Sequence, residues 1–463
     1  MADGSASANV GRPVSRRPWM VLAWVGVAAA ASALVLWRFQ LVVNVGAGAD
    51  LGYFLGAAER IRAGLDPYGE PMYVYSPLVA SILSTFPDRS SALAGWTALS
   101  LCAIVTAVAA TVATFWRRLT PWQRPVLAGV AVVSALMDGV TGLDLTLGQS
   151  DPFVLAALSM AVFFATRSQH RLVGVALALG ALIKTWPVTL GLWVWRTGVR
   201  RRGRTLLWAA ITCLVFVLAA AAAFGPGSMR NWFLRTVASS SQPYLVWSVW
   251  GPGRHLLSRS GNLIPLTESP HLALVLGTAL AIAVLVLLLL VLYRPGDDAL
   301  SMWNLTFAVI LLLPVSHQQY HLLVLPLVWV WTALVLSDRR KSGALMALVG
   351  VGGWRLVEAT ITLVHVDSRW HYLGIMVVTL AAFAVSVLCA AARDHQMDSQ
   401  RPVVDRTRAG VGDHRRQAIR LRCMRRSAGN APPTLVRSTP TAKFGDRHRP
   451  HRSPLKEIQL HDD

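Results

Sequence analysis

Charged residues are scarce in this 463-residue chain. Aspartate, glutamate, lysine and arginine together make up 14% of the sequence, whereas apolar residues make up 54%. Soluble globular domains carry about 25% charged residues, and disordered chains are polar and poor in apolar side chains. The composition therefore excludes a soluble globular protein, and it excludes disorder over most of the length. It is typical of a membrane protein that crosses the bilayer many times.

Cysteines and phosphate-binding motifs are scarce as well. The sequence has 4 cysteines and no CxxC pair, so it indicates neither a disulfide framework nor a zinc site. It also has no glycine-rich phosphate loop and no nucleotide-sugar motif, which argues against a nucleotide-sugar substrate. No repeat with a period of 20–50 residues is visible.

Long apolar runs bounded by charge, glycine or proline fill most of the chain. A bilayer span needs about 20 apolar residues, so we predict an all-α, polytopic membrane protein with about twelve transmembrane helices. Pro187 interrupts the apolar stretch 171–199, which therefore forms two short helices or one broken helix. The expected spans are 19–37, 92–116, 125–141, 152–166, 171–184, 186–199, 205–224, 272–293, 299–315, 322–337, 344–364 and 372–392.

The distribution of basic residues predicts the orientation. The net charge is +21, and the basic residues gather in the short loops that face the cytoplasm if the N-terminus lies inside. We therefore expect a cytoplasmic tail over 1–18 and a membrane domain over 19–392. The long loops 38–91 and 225–271 then face the exterior, where we expect the chemistry. The basic segment 393–463 is predicted to be a disordered cytoplasmic tail near anionic lipid. No nucleic-acid role is expected of it, because no fold accompanies its charge.

The first exterior loop begins with an acidic residue. Asp50 lies where the chain leaves the bilayer, just before a stretch with helical periodicity over 51–62. Two interpretations stay open. Asp50 caps the N-terminus of that helix, or its carboxylate is placed at the membrane surface to take a proton from a substrate hydroxyl. Tyr53 follows on the same helix.

Two motifs follow in the same loop. Asp66 and Pro67 form a dipeptide that is typical of the start of a turn, and Tyr68 follows them. Tyr75 lies in a Tyr-x-Tyr-x-Pro motif. The apolar segment 77–86 is too short to span a bilayer, so we predict a helix that lies at the membrane interface.

Polar residues at later span ends are further candidates for substrate contact. Gln149 follows a glycine before the span at 152–166, and Lys184 ends the next apolar run. The lysine either extends its ammonium group to the membrane surface or contacts a phosphate. Gln242 and Arg254 lie in the second long exterior loop. They either contact substrate or belong to an ordinary polar loop that interfacial tryptophans anchor.

Two histidines lie near the exterior end of the span at 299–315. His317 and His321 are spaced i, i+4 and share one face if that turn is helical. The spacing also suits a zinc pair, but no glutamate or third ligand accompanies it, so we expect no metal. Hydrogen-bonded interfacial histidines and contact with a sugar or phosphate oxygen remain as the alternatives.

The order of these motifs resembles one enzyme family. The chain is similar to the polyprenyl-phosphate-mannose-dependent α-(1→2)-mannosyltransferases of actinobacterial type, which form glycosyltransferase family 87 in the C-type membrane superfamily. Ser241 stands where family members usually have asparagine, and His317 and His321 are separated where the family has adjacent histidines. The motifs that carry the resemblance are Asp50, Tyr53, Gly64-Leu65-Asp66-Pro67-Tyr68, Tyr73-Val74-Tyr75-Ser76-Pro77, Gly148-Gln149-Ser150-Asp151 and the Lys184–Pro187 segment.

This resemblance implies a function and a set of site residues. It implies a plasma-membrane enzyme of the C-type fold that moves mannose from polyprenyl-phosphate-mannose to a hydroxyl of a lipid-anchored mannoside or envelope glycan. The transfer inverts the anomeric centre on the exterior face, forms α-1,2 linkages and needs no cofactor. Asp50 is then the catalytic base. The implied substrate-binding residues are Tyr53, Asp66, Tyr68, Tyr75, Gln149, Lys184, Gln242, Arg254, His317 and His321.

Two other classes of protein fit the span count. A secondary transporter or flippase of a lipid-linked sugar is one. Transporters tend to have inverted repeats and charged midplane residues, whereas this sequence shows no repeat and its polar residues gather at one face of the membrane. A non-catalytic membrane scaffold with a lipid-binding tail is the other. The long exterior loops with their acidic residues argue against the scaffold.

Overall fold

The computed structural model describes residues 17–46, 48–195, 199–239, 248–257, 266–293, 298–313, 322–337, 374 and 377–388. Over these ranges the chain is helical and contains no β-strand. By its contacts the chain divides into residues 1–399 and 400–463, and every described residue belongs to the first unit. The predicted tail 393–463, the expected span 344–364 and nearly all of the predicted N-terminal tail 1–18 lie outside the described residues.

Sixteen helices are present in the described ranges, with 3-10 turns at Pro67–Gly69 and Trp186–Leu190. The helices are α1 (Arg17–Val45), α2 (Ala49–Arg62), α3 (Pro77–Ser84), α4 (Arg89–Phe115), α5 (Gln123–Met137), α6 (Gly139–Leu147), α7 (Asp151–Thr166), α8 (His170–Ile183), α9 (Gly191–Trp195), α10 (Val199–Phe224), α11 (Pro226–Ser239), α12 (Gly251–Leu257), α13 (Pro270–Tyr293), α14 (Asp298–Leu312), α15 (Leu325–Ser337) and α16 (Val377–Leu388).

Four of these helices, α1, α4, α10 and α13, are long and apolar enough to cross a membrane. Helices α5 and α6 form a fifth candidate if they count as one bent span, and five further apolar helices are shorter. Almost none of the most apolar stretch of α1 and α10 is buried in protein, as expected of helices that face lipid. The all-helical membrane class is therefore confirmed in the described part, and the count of twelve spans stays a prediction.

The expected span 125–141 is broken in the structure. Helices α5 and α6 meet at an angle of 54°, because Asp138 has an extended backbone and caps α6 by accepting a hydrogen bond from the backbone N–H of Thr141. The buried side chain of Arg38 donates to the carbonyl oxygens of Leu136 (2.5 Å) and Asp138 (2.8 Å). The end of a helix leaves carbonyl groups without helical partners. Arg38 supplies donors to them, so the break is stabilised from α1.

The stretch 171–199 also differs from two continuous spans. Helix α8 ends at Ile183, and a 3-10 turn leads into the five-residue helix α9. The second half is therefore too short to cross a bilayer as a helix. Of the two alternatives for this stretch, the broken helix agrees with the structure, and Pro187 lies within the 3-10 turn.

Helices α14 to α16 form a tightly buried part of the core. The indole N–H of Trp331 donates to Ser386 Oγ (3.2 Å), whose hydroxyl donates to Asn304 Oδ1 (2.8 Å). Phe307 packs edge to face against Phe383. These contacts join three helices whose apolar sequences alone do not specify their partners.

Candidate active site

The site forms where the start of α2 meets the end of α6. The backbone N–H of Gly48 donates to the carbonyl oxygen of Thr146 (3.0 Å), and a Cβ on Gly48 would lie 2.4 Å from that oxygen. Gly148 ends α6 in the left-handed conformation (φ 77°), and a Cβ there would lie 2.4 Å from Leu51 Cβ. A side chain at either position would push the two helices apart. The indole N–H of Trp96 fixes the same turn by donating to Gly148 O (2.9 Å).

Asp50 lies in the first turn of α2 and does not cap the helix. The N-cap is Gly48, without a side-chain hydrogen bond, so the capping interpretation of Asp50 is wrong. Instead, the Asp50 carboxylate accepts a hydrogen bond from the side-chain amide of Gln149. Partial burial raises the pKa of Asp50 above its ordinary value, while the Gln149 hydrogen bond and the charge of Lys184 act in the opposite direction. The result is a half-buried carboxylate with raised proton affinity.

Gln149 connects Asp50 to two other predicted residues. Its side-chain oxygen accepts a hydrogen bond from the Tyr75 hydroxyl (3.1 Å) and one from the Lys184 ammonium (3.4 Å). Two donors at Oε1 and an acceptor at Nε2 fix which end of the amide faces Asp50. Four residues from the sequence analysis, Asp50, Tyr75, Gln149 and Lys184, therefore belong to one hydrogen-bonded network.

Lys184 is buried and does not extend to the membrane surface. Its ammonium nitrogen forms an ion pair with Asp151 Oδ2 at 2.8 Å, and both side chains are buried. It also lies 5.9 Å from the centre of the Tyr75 ring. A buried lysine is tolerated when it is paired in this way, so the snorkelling interpretation of Lys184 is wrong. We did not predict the pairing with Asp151.

Asp144 is a member of this cluster that we did not single out from the sequence. It is fully buried on α6, among the charges of Asp151, Lys184 and Asp50. No hydrogen-bond donor among the described residues contacts either of its carboxylate oxygens. One feature of the sequence could have identified it, because an acidic residue inside an apolar run is costly and usually functional.

A cavity of about 120 Å³ adjoins the network. By the same measure a single water fills about 10–15 Å³, so the cavity has room for several waters or one sugar ring. Tyr75 and Lys184 belong both to its wall and to the Gln149 network. The lining residues are Val74, Tyr75, Ser76, Ile183, Lys184, Thr185, Trp186, Trp232 and Thr236.

The other tyrosines of the loop between α2 and α3 support the loop itself. The Tyr68 hydroxyl donates to the carbonyl oxygen of Tyr75 (2.8 Å), and the Tyr73 hydroxyl donates to that of Ser76. Burial raises the pKa of Tyr68 and of Tyr73 well above the usual range, so both stay neutral. Tyr53 is half-buried on α2, and the hydrogen bonds described for the Asp50 network do not include it.

Asp66 anchors the loop to α11. Its carboxylate accepts hydrogen bonds from the Tyr68 backbone N–H (3.1 Å), Ser228 Oγ (2.8 Å) and Asn231 Nδ2 (2.9 Å). Desolvation raises the pKa of Asp66, but these donors and the charge of Arg60 outweigh it and hold the pKa below its ordinary value. The predicted turn start is confirmed, since Asp66 caps the 3-10 turn. The link to α11 adds a second role that we did not predict.

The remaining predicted residues lie elsewhere. Arg254 is half-buried on α12, where its backbone N–H donates to the carbonyl oxygen of Trp250 (3.3 Å). Gln242, His317 and His321 lie outside the described residues. Within the described ranges, no group of three or more His, Cys, Asp or Glu side chains is arranged to hold a metal ion.

Comparison with known proteins identifies a family. A family model described as glycosyltransferase family 87 matches residues 73–316, which is more than half of the chain. The matched segment includes Tyr75, Asp144, Gln149 and Lys184, and it begins after Asp50. No curated protein matches the chain.

Proposed function

We propose that this chain, which belongs to glycosyltransferase family 87 and is therefore a membrane glycosyltransferase, transfers mannose from polyprenyl-phosphate-mannose. The acceptor is a hydroxyl of a lipid-anchored mannoside or envelope glycan, and the new bond is an α-1,2 linkage. The site faces the exterior of the plasma membrane. Family membership argues against the flippase alternative, because the family is one of transferases.

One observation carries the proposal: Gln149 holds the half-buried carboxylate of Asp50, and the same hydrogen-bonded network borders a cavity through Tyr75 and Lys184. A sugar hydroxyl must lose its proton as it attacks, and a positioned carboxylate accepts that proton best when its pKa is raised toward the working pH. Asp50 meets both conditions, since Gln149 fixes one of its oxygens and burial raises its pKa. We therefore assign Asp50 as the general base.

The reaction is a single displacement. The acceptor oxygen forms a bond to C1 of the mannosyl group, the bond between C1 and the phosphate oxygen breaks, and the acceptor proton passes to an Asp50 carboxylate oxygen. The polyprenyl phosphate leaves with the bonding electron pair, and it is already anionic, so no general acid is needed. Attack opposite the leaving group converts a β-linked donor into an α-mannoside.

Positive charge near the leaving phosphate would stabilise the transition state. Lys184 lines the cavity, but its ammonium already pairs with Asp151. We therefore propose that Lys184 chiefly orders Gln149, and that phosphate contacts come from Arg254, His317 and His321. We assign sugar contacts to Tyr75 at the cavity wall, with Tyr53, Asp66, Tyr68 and Gln242 as further candidates.

The test is transfer of radiolabelled mannose in nanodiscs that contain the purified full chain. Polyprenyl-phosphate-mannose is supplied with a mixture of mannose-bearing lipids, and GDP-mannose serves as the control donor. We expect label to move into the lipid fraction from the polyprenyl donor only. Transfer from GDP-mannose, or no transfer by folded protein from either donor, would contradict the proposal.

A further inference from the structure

The buried cluster around Lys184 contains more acidic groups than its lysine can neutralise. Asp50, Asp144 and Asp151 face one ammonium group, so the cluster has a formal charge of −2 when every group is ionised. Two of the three carboxylates, Asp144 and Asp151, are fully buried. Among the described residues no other cation is paired with any of the three. A buried site of this kind does not keep such a charge.

The hydrogen bonds show where the imbalance lies. Asp151 Oδ2 accepts from Lys184 at 2.8 Å and Asp50 accepts from Gln149, so both of these carboxylates have a donor. Asp144 has none at either oxygen, and Asp151 Oδ1 also has none, within the described residues. Asp144 and Asp151 are neighbouring, fully buried carboxyl groups, and each has at least one oxygen without a donor among the described residues. One proton on Asp144 would supply the missing donor to Asp151 Oδ1 and reduce the formal charge to −1.

We infer that Asp144 is a protonated positioning residue, whose carboxylic O–H donates to Asp151 Oδ1. This bond holds Asp151 against Lys184, and Lys184 in turn holds the Gln149 oxygen, so that the Gln149 amide stays directed at Asp50. Two adjacent buried carboxyl groups that share one proton are a stable arrangement, because like charges in contact cannot both ionise. The consequence for transfer rests on the proposed function, but the protonation of Asp144 does not.

Infrared spectroscopy tests the protonation without any substrate. A carboxylic acid has a C=O stretch that is distinct from the bands of carboxylates and amides. We expect this band in the full chain at neutral pH, and we expect Asp144→Asn to remove it. Asp138→Asn is the matched control, because Asp138 caps the same helix and asparagine caps as well as aspartate. A band that persists in Asp144→Asn, or is absent from the wild type, overturns the inference.

Turnover tests the positioning. Asparagine at 144 keeps a donor for Asp151 Oδ1 but has no ionisable proton, whereas leucine of similar size has no donor. We expect Asp144→Leu to lower kcat at least about tenfold more than Asp144→Asn, with a smaller change in KM, since a buried acceptor left without a donor is costly. Equal losses in both variants, or inhibition of the wild type by EDTA, would show that an ionised Asp144 or a cation is required.

The two tests separate the possible failures. If the wild type does not transfer mannose, the infrared bands still decide whether Asp144 holds a proton. If Asp144→Leu does not fold, the inference still requires Asp144→Asn to lose the carboxylic acid band and to keep at least about one third of wild-type turnover. A tenfold loss in Asp144→Asn overturns it.

Discussion

Replacing Asp50 by asparagine separates catalysis from folding. The N-cap of α2 is Gly48, so no capping interaction is lost. Asparagine has nearly the same shape as aspartate, and its side-chain oxygen can still accept the hydrogen bond from Gln149. One neutral hydrogen bond replaces one charge-assisted bond, while the desolvation penalty of a half-buried carboxylate disappears. The two effects oppose each other, so we expect the free energy of unfolding to change by no more than about 1 kcal/mol.

Turnover should respond very differently. General-base assistance contributes about 10²–10⁴-fold to rate, and the asparagine amide cannot accept the proton. We expect kcat to fall by about 10²-fold or more, which corresponds to about 2.7 kcal/mol on the activation barrier. The assay is mannose transfer by purified protein in nanodiscs with saturating polyprenyl donor, with thermal unfolding recorded on the same samples.

The matched control is Glu59→Gln, which removes an exposed carboxylate from the same helix. It should leave both kcat and the unfolding temperature close to those of the wild type. Near-normal kcat in Asp50→Asn, with the protein folded, would refute Asp50 as the base. A kcat loss that comes with a large drop in unfolding temperature would instead refute the argument that the substitution leaves the fold intact.

Four further predictions follow from the same structure. Because burial raises the pKa of Asp50 and the base acts when deprotonated, kcat/KM should fall as the pH drops through a value above the ordinary aspartate range, and a flat profile would contradict this. The pKa of Asp66 is lowered, so its stabilisation is present above the unfolded value of about 3.9 and is lost as the pH falls through the folded value. Asp66→Asn should therefore lower the unfolding temperature at neutral pH, lose that pH dependence, and reduce turnover less than Asp50→Asn does. Arg38→Met leaves two carbonyl oxygens at the α5–α6 break without their donor, and we expect a loss of about 2 kcal/mol in the free energy of unfolding, partly recovered in Arg38→Lys. Cysteines introduced at 117–124 and at 240–250 should be labelled from opposite sides of the membrane, and labelling from the same side would refute the predicted orientation.

The sequence predicted the class of the protein, and four of the residues that it indicated share one hydrogen-bonded network. Composition and apolar runs are sufficient for an all-helical membrane protein, because each span must satisfy its own backbone. The motif order around Asp50, Gln149 and Lys184 was sufficient for the family, and the family model agrees over 73–316.

The contacts between those residues could not be predicted in the same way. Asp50 and Gln149 are 99 positions apart, and their contact depends on the close approach of α2 and α6 that Gly48 and Gly148 allow. Asp144 was missed because it lies between the expected spans 125–141 and 152–166, in a segment that we assigned to no helix. The break between α5 and α6 was missed because the residue that stabilises it, Arg38, lies on a different helix.

That long-range interaction of Arg38 has a consequence for biosynthesis. A membrane protein is made from its N-terminus, so α1 enters the bilayer before the carbonyl groups of Leu136 and Asp138 have been synthesised. A guanidinium without partners stays at the membrane–water boundary. It can move to its buried position only after α5 and α6 arrive. Insertion of α1 and its final packing are thus separate events in the assembly of this protein, and the second waits for about one hundred residues of further translation.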